Sequence, residues 1–468
     1  MTSIPRLIIA APQSGAGKTT VATGIIAALA ARRCVQPFKC GPDYIDPTYH
    51  TRAAGRPSRN LDTWMLPDSA VLELFERACS GADIAVIEGV MGLFDGKTGE
   101  DDAGSTARLA KLLRAPVVLV IDAGAVARSA AALVHGFHTF DPDLKLAGVV
   151  VNRVAGERHY QIVAEAIERE VGVSVLGYLP RSTEIELPER YLGLVPTVEG
   201  AVAGGYFSLL RAACEQTIDL AKLEAIAASA GPIPHPNPLP GGEEVGESPP
   251  SLFPSEPIAP HVRIAVARDA AFSFYYEDNL DLLRAWGGEV VEFSPLENEG
   301  LPPETSGIYI GGGFPELFAA QLAGNLPLVG AIRSAAAAGM PIYAECGGLM
   351  YVGEGISDAE GRRQEMLGLV PAESNMQDSR LSLGYRELRA LGPSAVLDAG
   401  AVARAHEFHY SRLDSEPAPG EAAYAVNGEG RLDGYRRGSV LASYMHLHFG
   451  SSPAIAPRFV ATAKAWLR

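Results

Sequence analysis

One cysteine stands between an acidic residue and two glycines in the stretch PIYAECGGLMYVGE, residues 341–354. Cys346 follows a short apolar run that predicts a strand, and the residues after Gly347 and Gly348 predict a helix. A thiol at such a strand-to-helix turn has the geometry of a nucleophile elbow, and a helix N-terminus lowers its pKa. Cys346 is therefore a candidate nucleophile, and the alternative is an ordinary buried thiol.

Two further stretches supply the groups that a thiol nucleophile needs. The glycine turn in IYIGGGFPE predicts an oxyanion site made by backbone N–H groups at Gly312 and Gly313. The stretch SYMHLHF offers His446 and His448, either of which could deprotonate the thiol and later protonate a leaving ammonia. These residue types together predict covalent catalysis by a cysteine and a histidine that are distant in sequence.

A phosphate loop is predicted near the N-terminus. The stretch APQSGAGKTT follows an apolar run and precedes a helix-like sequence, so its backbone N–H groups and the helix dipole favour phosphate oxygens. Lys18 would neutralise phosphate charge, and the Thr19 hydroxyl would bind Mg²⁺. The predicted nucleotide-binding residues of this loop are Gly15, Gly17, Lys18, Thr19 and Thr20.

Acidic residues follow the predicted strands of the same half. Asp43 and Asp46 lie with Lys39 in FKCGPDYIDPTYH, whose prolines and glycine predict a loop. Glu88 stands at the carboxyl end of a predicted strand in VIEGVMGLFDG, and Asp95 lies beyond it. Ligands of open α/β sheets bind outside these strand ends, and Mg²⁺ prefers oxygen ligands. Each acid alone is better explained as a solvated loop residue, but together with the phosphate loop the acids predict a Mg-ATP site.

The elements that must position these residues alternate between strands and helices. In the first half we predict strands at 6–12, 83–90, 116–123, 146–154 and 173–180, and helices at 18–32 and 103–114. In the second half we predict strands at 262–270, 289–296, 307–313 and 341–348, helices at 277–287 and 326–339, and a less regular tail after 355. Both patterns predict doubly wound α/β domains.

A segment rich in Pro, Gly, Ser and Glu separates the two halves. Residues 231–260 lack apolar periodicity, which predicts an extended linker. The expected organisation is an N-terminal phosphate-loop domain at 1–230, this linker, and a C-terminal domain at 261–468. The halves show no internal repeat.

Composition limits the class of protein. The 468 residues carry a net charge of −16, which argues against general nucleic-acid binding. No apolar run reaches the roughly 18 residues of a membrane span, so we expect no membrane partner. The five cysteines lack metal-ligand spacing, which is typical of a reducing compartment, and we expect a cytoplasmic protein.

The motifs of the second half resemble those of a known enzyme class. YAECGGLMY, GGGFPE and SYMHLHF are similar to class I glutamine amidotransferases, in the branch whose histidine lies in a Tyr-x-His motif. Relatives often carry Glu two residues after that histidine, but His448 stands there in this chain. The resemblance therefore assigns His446 as the base and implies a Cys346–His446 dyad.

The motifs of the first half resemble a dethiobiotin-synthetase-like ATP domain, a P-loop NTPase-like synthetase. Its phosphate loop has a longer glycine pattern, and Ala11 replaces the first glycine here. The combination of GPDYIDPTYH, NLDTWML, EGVMGLFDG and HEFHYS, across both halves, is similar to the cobyrinic acid and hydrogenobyrinic acid a,c-diamide synthase family.

This resemblance implies an activity. It implies amidation of the a and c side-chain carboxylates of cobyrinic or hydrogenobyrinic acid through acyl phosphates, in cobalamin biosynthesis, with ATP, Mg²⁺ and L-glutamine. The alternatives are a nickel-sirohydrochlorin a,c-diamide synthase and a non-catalytic, nucleotide-switched binding protein. The second alternative predicts loss of Cys346 or His446, and both are present.

The resemblance also implies roles for individual residues. Thr19, Asp43 and Glu88 would bind the metal, and Lys39 would assist Lys18 at the phosphates. The substrate residues it implies are Tyr44 and Ile45, which would face the corrinoid, together with Asp46 and Asp95. It also implies glutamine contacts in SLGYR and at Tyr410 and Ser411.

The predicted linker provides a first test. Removing about 15 residues from 231–260 should leave most synthesis from added ammonia intact, because this composition offers no core to join. Amide formation with ammonium salts, compared between the full and the shortened chain, is the measurement. Loss of this ammonia-driven synthesis in the shortened chain would show that the segment is structural.

Overall fold

The computed structural model describes residues 4–187, 189–190, 193–194, 205–233, 251–377 and 380–468. The chain forms two compact units, Met1–Pro249 and Pro250–Arg468. Most of the predicted linker, residues 234–250, lies outside the described residues. At its two ends Ile233 and Leu252 are buried, and the Leu252 carbonyl accepts a hydrogen bond from Trp286 Nε1 at 2.9 Å.

The first unit is built on a parallel sheet. Its strands are β1 Arg6–Ala10, β2 Val35–Cys40, β3 Arg59–Leu61, β4 Ile84–Glu88, β5 Val117–Asp122, β6 Leu146–Val154 and β7 Val175–Pro180, in the order β3-β2-β4-β1-β5-β6-β7. Its helices are α1 Lys18–Ala30, α2 Asp46–Ala54, α3 Asp68–Ala78, α4 Thr106–Leu112, α5 Ser129–Phe140, α6 Glu157–Val171, α7 Tyr206–Thr217 and α8 Leu220–Ala228. A 3₁₀ turn, Thr183–Ile185, and a strand pair, β8 Glu189–Arg190 with β9 Gly193–Leu194, follow β7.

The centre of this sheet positions the first candidate site. β1 lies between β4 and β5, and both neighbours run parallel to it. After β1 the chain crosses toward β2 and β3 on one side, and after β4 it crosses to β5 on the other. The strand order therefore reverses at β1, and the loops that follow β1 and β4 meet at this switch point.

The predicted strands and helices of this half are confirmed to within a few residues at their ends, but one prediction was wrong. The stretch predicted as a loop around Lys39 contains β2, which carries Lys39, and α2, whose first residue is Asp46. The glycine and prolines behind this prediction lie between the two elements or, for Pro47, in the first turn of α2, where proline is tolerated. β2 also contains Pro37, which cannot donate a ladder hydrogen bond and argues against an internal strand. β2 nevertheless lies between β3 and β4.

The second unit is built on a mixed sheet of ten strands. They are β10 Val262–Ala267, β11 Gly288–Phe293, β12 Thr305–Ile310, β13 Ile342–Glu345, β17 Ser382–Ala390, β18 Val402–His409, β20 Ala422–Val426, β21 Arg431–Arg437, β22 Val440–Ser443 and β23 Met445–Leu447. A second sheet contains β14 Gly355–Ser357, β15 Arg363–Glu365, β16 Glu373–Asn375 and β19 Arg412–Leu413. The helices are α9 Glu277–Ala285, α10 Ala319–Gly324, α11 Leu326–Ala337, α12 Gly347–Val352 and α13 Ile455–Trp466, with 3₁₀ turns at Pro315–Phe318 and Phe449–Ser451.

This sheet has a parallel and an antiparallel part. The order is β11-β10-β12-β13-β22-β21-β20-β17-β18-β23, and the first five strands are parallel. The chain after residue 355, predicted as a less regular tail, supplies most of the antiparallel strands. β23 pairs with β18, and His446 lies opposite His406 in that register.

The helices of both units are short or amphipathic. Within the residues described, none of them combines the length and the apolar character needed to cross a membrane.

Candidate active sites of the two units

The phosphate loop adopts a backbone that requires glycine. Gly15 has φ 79° and Gly17 has φ 83°, both in the left-handed region. A Cβ on Gly17 would lie 2.0 Å from the amide nitrogen of the Asn152 side chain, which itself donates to the Ala16 carbonyl at 2.9 Å. Asn152 on β6 thus closes on the loop, and only glycine leaves it room.

Ala11 fits its position although the resembled loop has glycine there. Its side chain is fully buried in the core of the first unit. Its carbonyl accepts a hydrogen bond from the Leu93 N–H at 2.8 Å, which ties the segment after β4 to the loop after β1. The methyl group is therefore part of the packing beneath the loop.

Lys18 and Thr19 start α1 and point to the segment after β4. Lys18 Nζ donates to the Met91 carbonyl at 2.9 Å, and Thr19 Oγ1 donates to Glu88 Oε1 at 2.8 Å. Thr20 follows, half-buried, on the same helix. Burial and the nearby charge of Lys39 lower the pKa of Lys18. A bound phosphate would offset both effects, so this lysine is electrostatically suited to an anion.

Lys39 is the centre of a buried charge cluster. Its Nζ donates to Asp46 Oδ2 at 2.6 Å, to Glu88 Oε1 at 3.0 Å and to the Gly89 carbonyl at 3.0 Å. The other carboxylate oxygen of Glu88, Oε2, lies 2.6 Å from His50 Nε2. Sequence analysis assigned no role to His50, although it belongs to the GPDYIDPTYH motif that was singled out there.

The cluster has more negative than positive charge. Burial lowers the pKa of Lys39, but attraction by Asp46 and Glu88 outweighs it and raises the pKa above its usual value. Burial would raise the pKa of Glu88, but Lys39 and the hydrogen bond from His50 hold it well below its usual range. Burial and repulsion by Asp43 and Glu88 raise the pKa of Asp46. A divalent cation would relieve this repulsion.

Asp43 and Asp95 border this cluster. The Asp43 carboxylate accepts from the N–H groups of Ile45, at 2.9 Å, and Asp46, at 3.2 Å. Asp95 Oδ2 accepts from the Gly92 N–H at 2.9 Å. A Cβ on Gly92 would lie 2.6 Å from the Pro12 carbonyl, so the turn that holds Asp95 lies against the phosphate loop. Hydroxyl and carboxylate oxygens of Thr19, Glu88 and Asp43 are the ligand types that fit Mg²⁺ with phosphate and water.

Tyr44 and Ile45, which the resemblance implied would face the corrinoid, are only 5% and 6% exposed. They lie between Asp43 and α2. Their contact with the corrinoid stays a prediction.

Cys346 occupies a strained turn between β13 and α12. Its φ of 50° and ψ of −104° place a non-glycine residue in an unfavourable region, as expected for a nucleophile elbow. The Cys346 N–H donates to the Ser443 carbonyl at 2.8 Å, and Sγ lies 3.4 Å from the Phe408 carbonyl. Burial and the charge of Glu316 raise the pKa of this thiol. The expected lowering by the helix N-terminus is therefore wrong for this conformation, and the thiol needs a base.

The glycine turn after β12 brings histidine and cysteine together. A Cβ on Gly312 would lie 2.6 Å from His446 Cε1 and 3.4 Å from Cys346 Cβ. The Gly312 N–H donates to the Phe274 carbonyl at 3.2 Å, so it is already engaged. A Cβ on Gly347 would lie 3.0 Å from the Gly313 nitrogen, which places the backbone of these two glycines side by side.

The two histidines of SYMHLHF have different surroundings. His446 is fully buried on β23, and its Nδ1 lies 3.8 Å from Glu345 Oε2. His448 accepts from the Gly450 N–H at Nδ1, at 3.1 Å, and its Nε2 lies 3.7 Å from Asp278 Oδ2. Sequence analysis gave no role to Glu345. Its position directly before Cys346 was the available signal.

The HEFHYS motif lies on β18 beside the cysteine. Glu407 accepts hydrogen bonds from both terminal guanidinium nitrogens of Arg431, at 3.0 Å, and forms an ion pair with Arg386 at 2.8 Å. His409 Nε2 lies 3.1 Å from Glu407 Oε1. The Ser411 hydroxyl lies 2.7 Å from Tyr444 Oη. Arg386, in the SLGYR stretch, and Ser411 therefore both belong to networks that brace β18 near Cys346.

Family comparisons agree with the two units. Residues 7–195 match the CobQ/CobB/MinD/ParA nucleotide binding domain, and residues 263–454 match the CobB/CobQ-like glutamine amidotransferase domain. These ranges contain both candidate sites.

Curated relatives match almost the whole chain. A cobyrinate a,c-diamide synthase from Dehalococcoides mccartyi strain CBDB1 is 45% identical over 470 residues, which covers 99% of both chains. One from Priestia megaterium is 43% identical over 98% of this chain and 97% of its own. A hydrogenobyrinate a,c-diamide synthase from Streptomyces coelicolor is 44% identical over the same shares. This chain therefore belongs to the cobyrinate and hydrogenobyrinate a,c-diamide synthase family of amidating enzymes.

Proposed function

We propose that this enzyme uses ATP and glutamine to amidate the a and c side-chain carboxylates of cobyrinic or hydrogenobyrinic acid. One observation carries the proposal: the chain combines a glycine-dependent phosphate loop with a cysteine elbow beside a buried histidine. Amide synthesis from a carboxylate needs both. The carboxylate oxygen must become a good leaving group, which an acyl phosphate provides, and ammonia must be supplied for the attack.

In the first unit the loop and its neighbours would hold the nucleotide. Backbone N–H groups around Gly15 and Gly17 and the start of α1 would bind phosphate oxygens. Lys18 would leave the Met91 carbonyl to neutralise the transferring phosphate, with Lys39 beside it. Mg²⁺, bound through Thr19, Glu88 and Asp43, would neutralise charge on the phosphates. Asp46 and Asp95 would orient the substrate carboxylate.

In the second unit Cys346 would attack the side-chain amide of glutamine. His446 takes the thiol proton as the Sγ–C bond forms, and the Gly313 and Gly347 N–H groups stabilise the oxyanion. Gly347 replaces Gly312 in this role, because the Gly312 N–H is occupied. The C–N bond then breaks, ammonia leaves with the proton from His446, and water hydrolyses the thioester to glutamate. The ammonia then attacks the acyl phosphate formed in the first unit, so that the amide C–N bond forms as inorganic phosphate leaves.

Relatives of nearly equal identity carry the cobyrinate and the hydrogenobyrinate names. The two substrates differ in the central cobalt. Parallel assays with cobyrinate and metal-free hydrogenobyrinate would therefore establish which macrocycle this enzyme prefers.

Replacing the nucleophile should separate the two nitrogen sources. Cys346→Ser should abolish glutamine-driven synthesis and keep synthesis from ammonium salts, because the first unit is untouched. His446→Ala should behave likewise, and His448→Ala should lose less. The measurement is diamide formation with each nitrogen source, with exposed Cys34→Ser as the matched control. Full glutamine activity in Cys346→Ser would contradict the proposal.

Removing the phosphate-loop lysine should stop synthesis from either nitrogen source. Lys18→Ala deletes the charge that stabilises the transferring phosphate, so we expect a fall of about 100- to 1,000-fold. ATP turnover in the presence of substrate is the measurement. Lys145→Ala, an exposed lysine of the same unit, is the control. Unchanged ATP turnover in Lys18→Ala would remove the loop from the active site.

Replacing the Glu88 carboxylate by an amide should weaken Mg²⁺ binding. Glu88→Gln keeps the size of the side chain but loses the charge that binds Mg²⁺ and pairs with Lys39. We expect at least a tenfold loss of synthesis, partly recovered at high Mg²⁺. A Mg²⁺ titration measures this, with exposed Glu157→Gln as control. A wild-type Mg²⁺ response in a stably folded Glu88→Gln enzyme would show that Glu88 is not a ligand.

A further inference from the structure

Glu345 lies directly before the nucleophile and is held by a complete set of donors. Its side chain is 1% exposed at the end of β13. Oε1 accepts from the Tyr343 hydroxyl and from the Leu447 N–H at 2.9 Å, and Oε2 accepts from the Tyr309 hydroxyl at 2.9 Å. A carboxylate fixed by three donors from β12, β13 and β23 has little freedom to move.

The fixed carboxylate faces the ring of the candidate base. Oε2 of Glu345 lies 3.8 Å from His446 Nδ1. The Cε1 edge of the same ring lies toward Gly312, where an added Cβ would be 3.4 Å from Cys346 Cβ. Glu345 and Cys346 are consecutive residues, so one backbone segment fixes the carboxylate and the nucleophile relative to each other. Nδ1 of His446 therefore lies on the Glu345 side of the ring.

His448, which occupies the position of the missing glutamate, does not serve this purpose. Its Nδ1 accepts from the Gly450 N–H, its Nε2 faces Asp278, and its ring packs 4.8 Å from the Tyr276 ring. His446 and His448 are both fully buried, each beside a different carboxylate, and His446, the one beside Glu345, is the one that approaches Cys346.

We propose that Glu345 is the positioning residue of the Cys346–His446 pair and replaces the glutamate that is absent at position 448. It orients His446 with a proton on Nδ1 and stabilises the imidazolium that forms when Nε2 accepts the Cys346 proton. The same proton leaves with ammonia when the C–N bond of glutamine breaks. This inference rests on the proposed glutaminase function.

The pH dependence gives a signature that a structural role would not produce. Removing the negative charge of Glu345 disfavours protonated His446, so the acidic limb of kcat/KM should move to lower pH. Other titratable or charged groups near Cys346 and His446 are His406, which lies opposite His446, together with Glu407, Arg386 and Glu316. Burial and the charge of His446 lower the pKa of His406 to about 3, so it stays neutral across the measured range.

The test is Glu345→Gln, measured by glutamate release, by ammonia-driven synthesis and by thermal unfolding. We expect kcat for glutamine hydrolysis to fall about 100-fold with little change in KM, and the acidic limb to shift. Ammonia-driven synthesis should be unchanged. Asp278→Asn is the matched control, since it removes a buried carboxylate 3.7 Å from the other histidine. Asp278→Asn should keep the wild-type acidic limb of the pH profile of kcat/KM.

A second variant guards against misfolding. Tyr309→Phe removes the hydroxyl bound to Oε2, the oxygen that faces His446, and should lower kcat less than Glu345→Gln does. A wild-type kcat together with a wild-type pH profile in Glu345→Gln would overturn the inference. For a Glu345→Gln enzyme that unfolds at the wild-type temperature, loss of ammonia-driven synthesis would also overturn it, and so would a fall in kcat with an unchanged acidic limb of the pH profile, because either outcome assigns Glu345 a purely structural role. Should Glu345→Gln fail to fold, wild-type kcat in Tyr309→Phe would overturn it. Absence of glutaminase activity in the wild-type enzyme would instead refute the proposed function.

Discussion

In both units a parallel strand ends in a turn whose backbone enters the left-handed region, and the reactive groups lie at that turn. The loop after β1 meets this demand with Gly15 and Gly17, which adopt positive φ without steric cost. The turn after β13 meets it with Cys346 itself, where the strain is borne by a non-glycine residue. Gly312 and Gly347 then leave the space that the cysteine, the histidine and a substrate need.

Buried charge organises the first site. Glu88 is fully buried at the end of β4, where an unpaired carboxylate would be strongly destabilising, and Lys39 and His50 stabilise it. These partners come from β2 and α2, so the ion cluster connects three elements. The excess of negative charge around Lys39 and the lowered pKa of Lys18 would both be relieved by the proposed binding of a metal ion and a phosphate side by side.

In the second site burial favours the neutral form of the reactive group. It keeps the Cys346 thiol protonated at rest, because the raised pKa outweighs the influence of a helix of only six residues. In the proposed mechanism the thiolate is therefore made by proton transfer from Cys346 to His446 during the reaction. The antiparallel strands β18 and β23 bring His446 to the thiol from about 100 residues further along the chain.

The sequence by itself determined the two α/β halves, the phosphate loop and the cysteine elbow, because local periodicity and glycine spacing encode strand-to-helix turns directly. It left His446 and His448 as alternative bases, and only the family resemblance favoured His446. Tertiary structure decided what no local pattern encodes. β2 forms although it contains Pro37, and the residues Tyr44 and Ile45 are buried. The Gly312 N–H donates to the Phe274 carbonyl, and burial raises the pKa of the Cys346 thiol. Glu345 and His446 are about 100 residues apart in the sequence and lie close together only because of the tertiary fold. Burial and contacts between distant strands depend on how the whole chain packs, and side-chain spacing along the sequence does not carry that information.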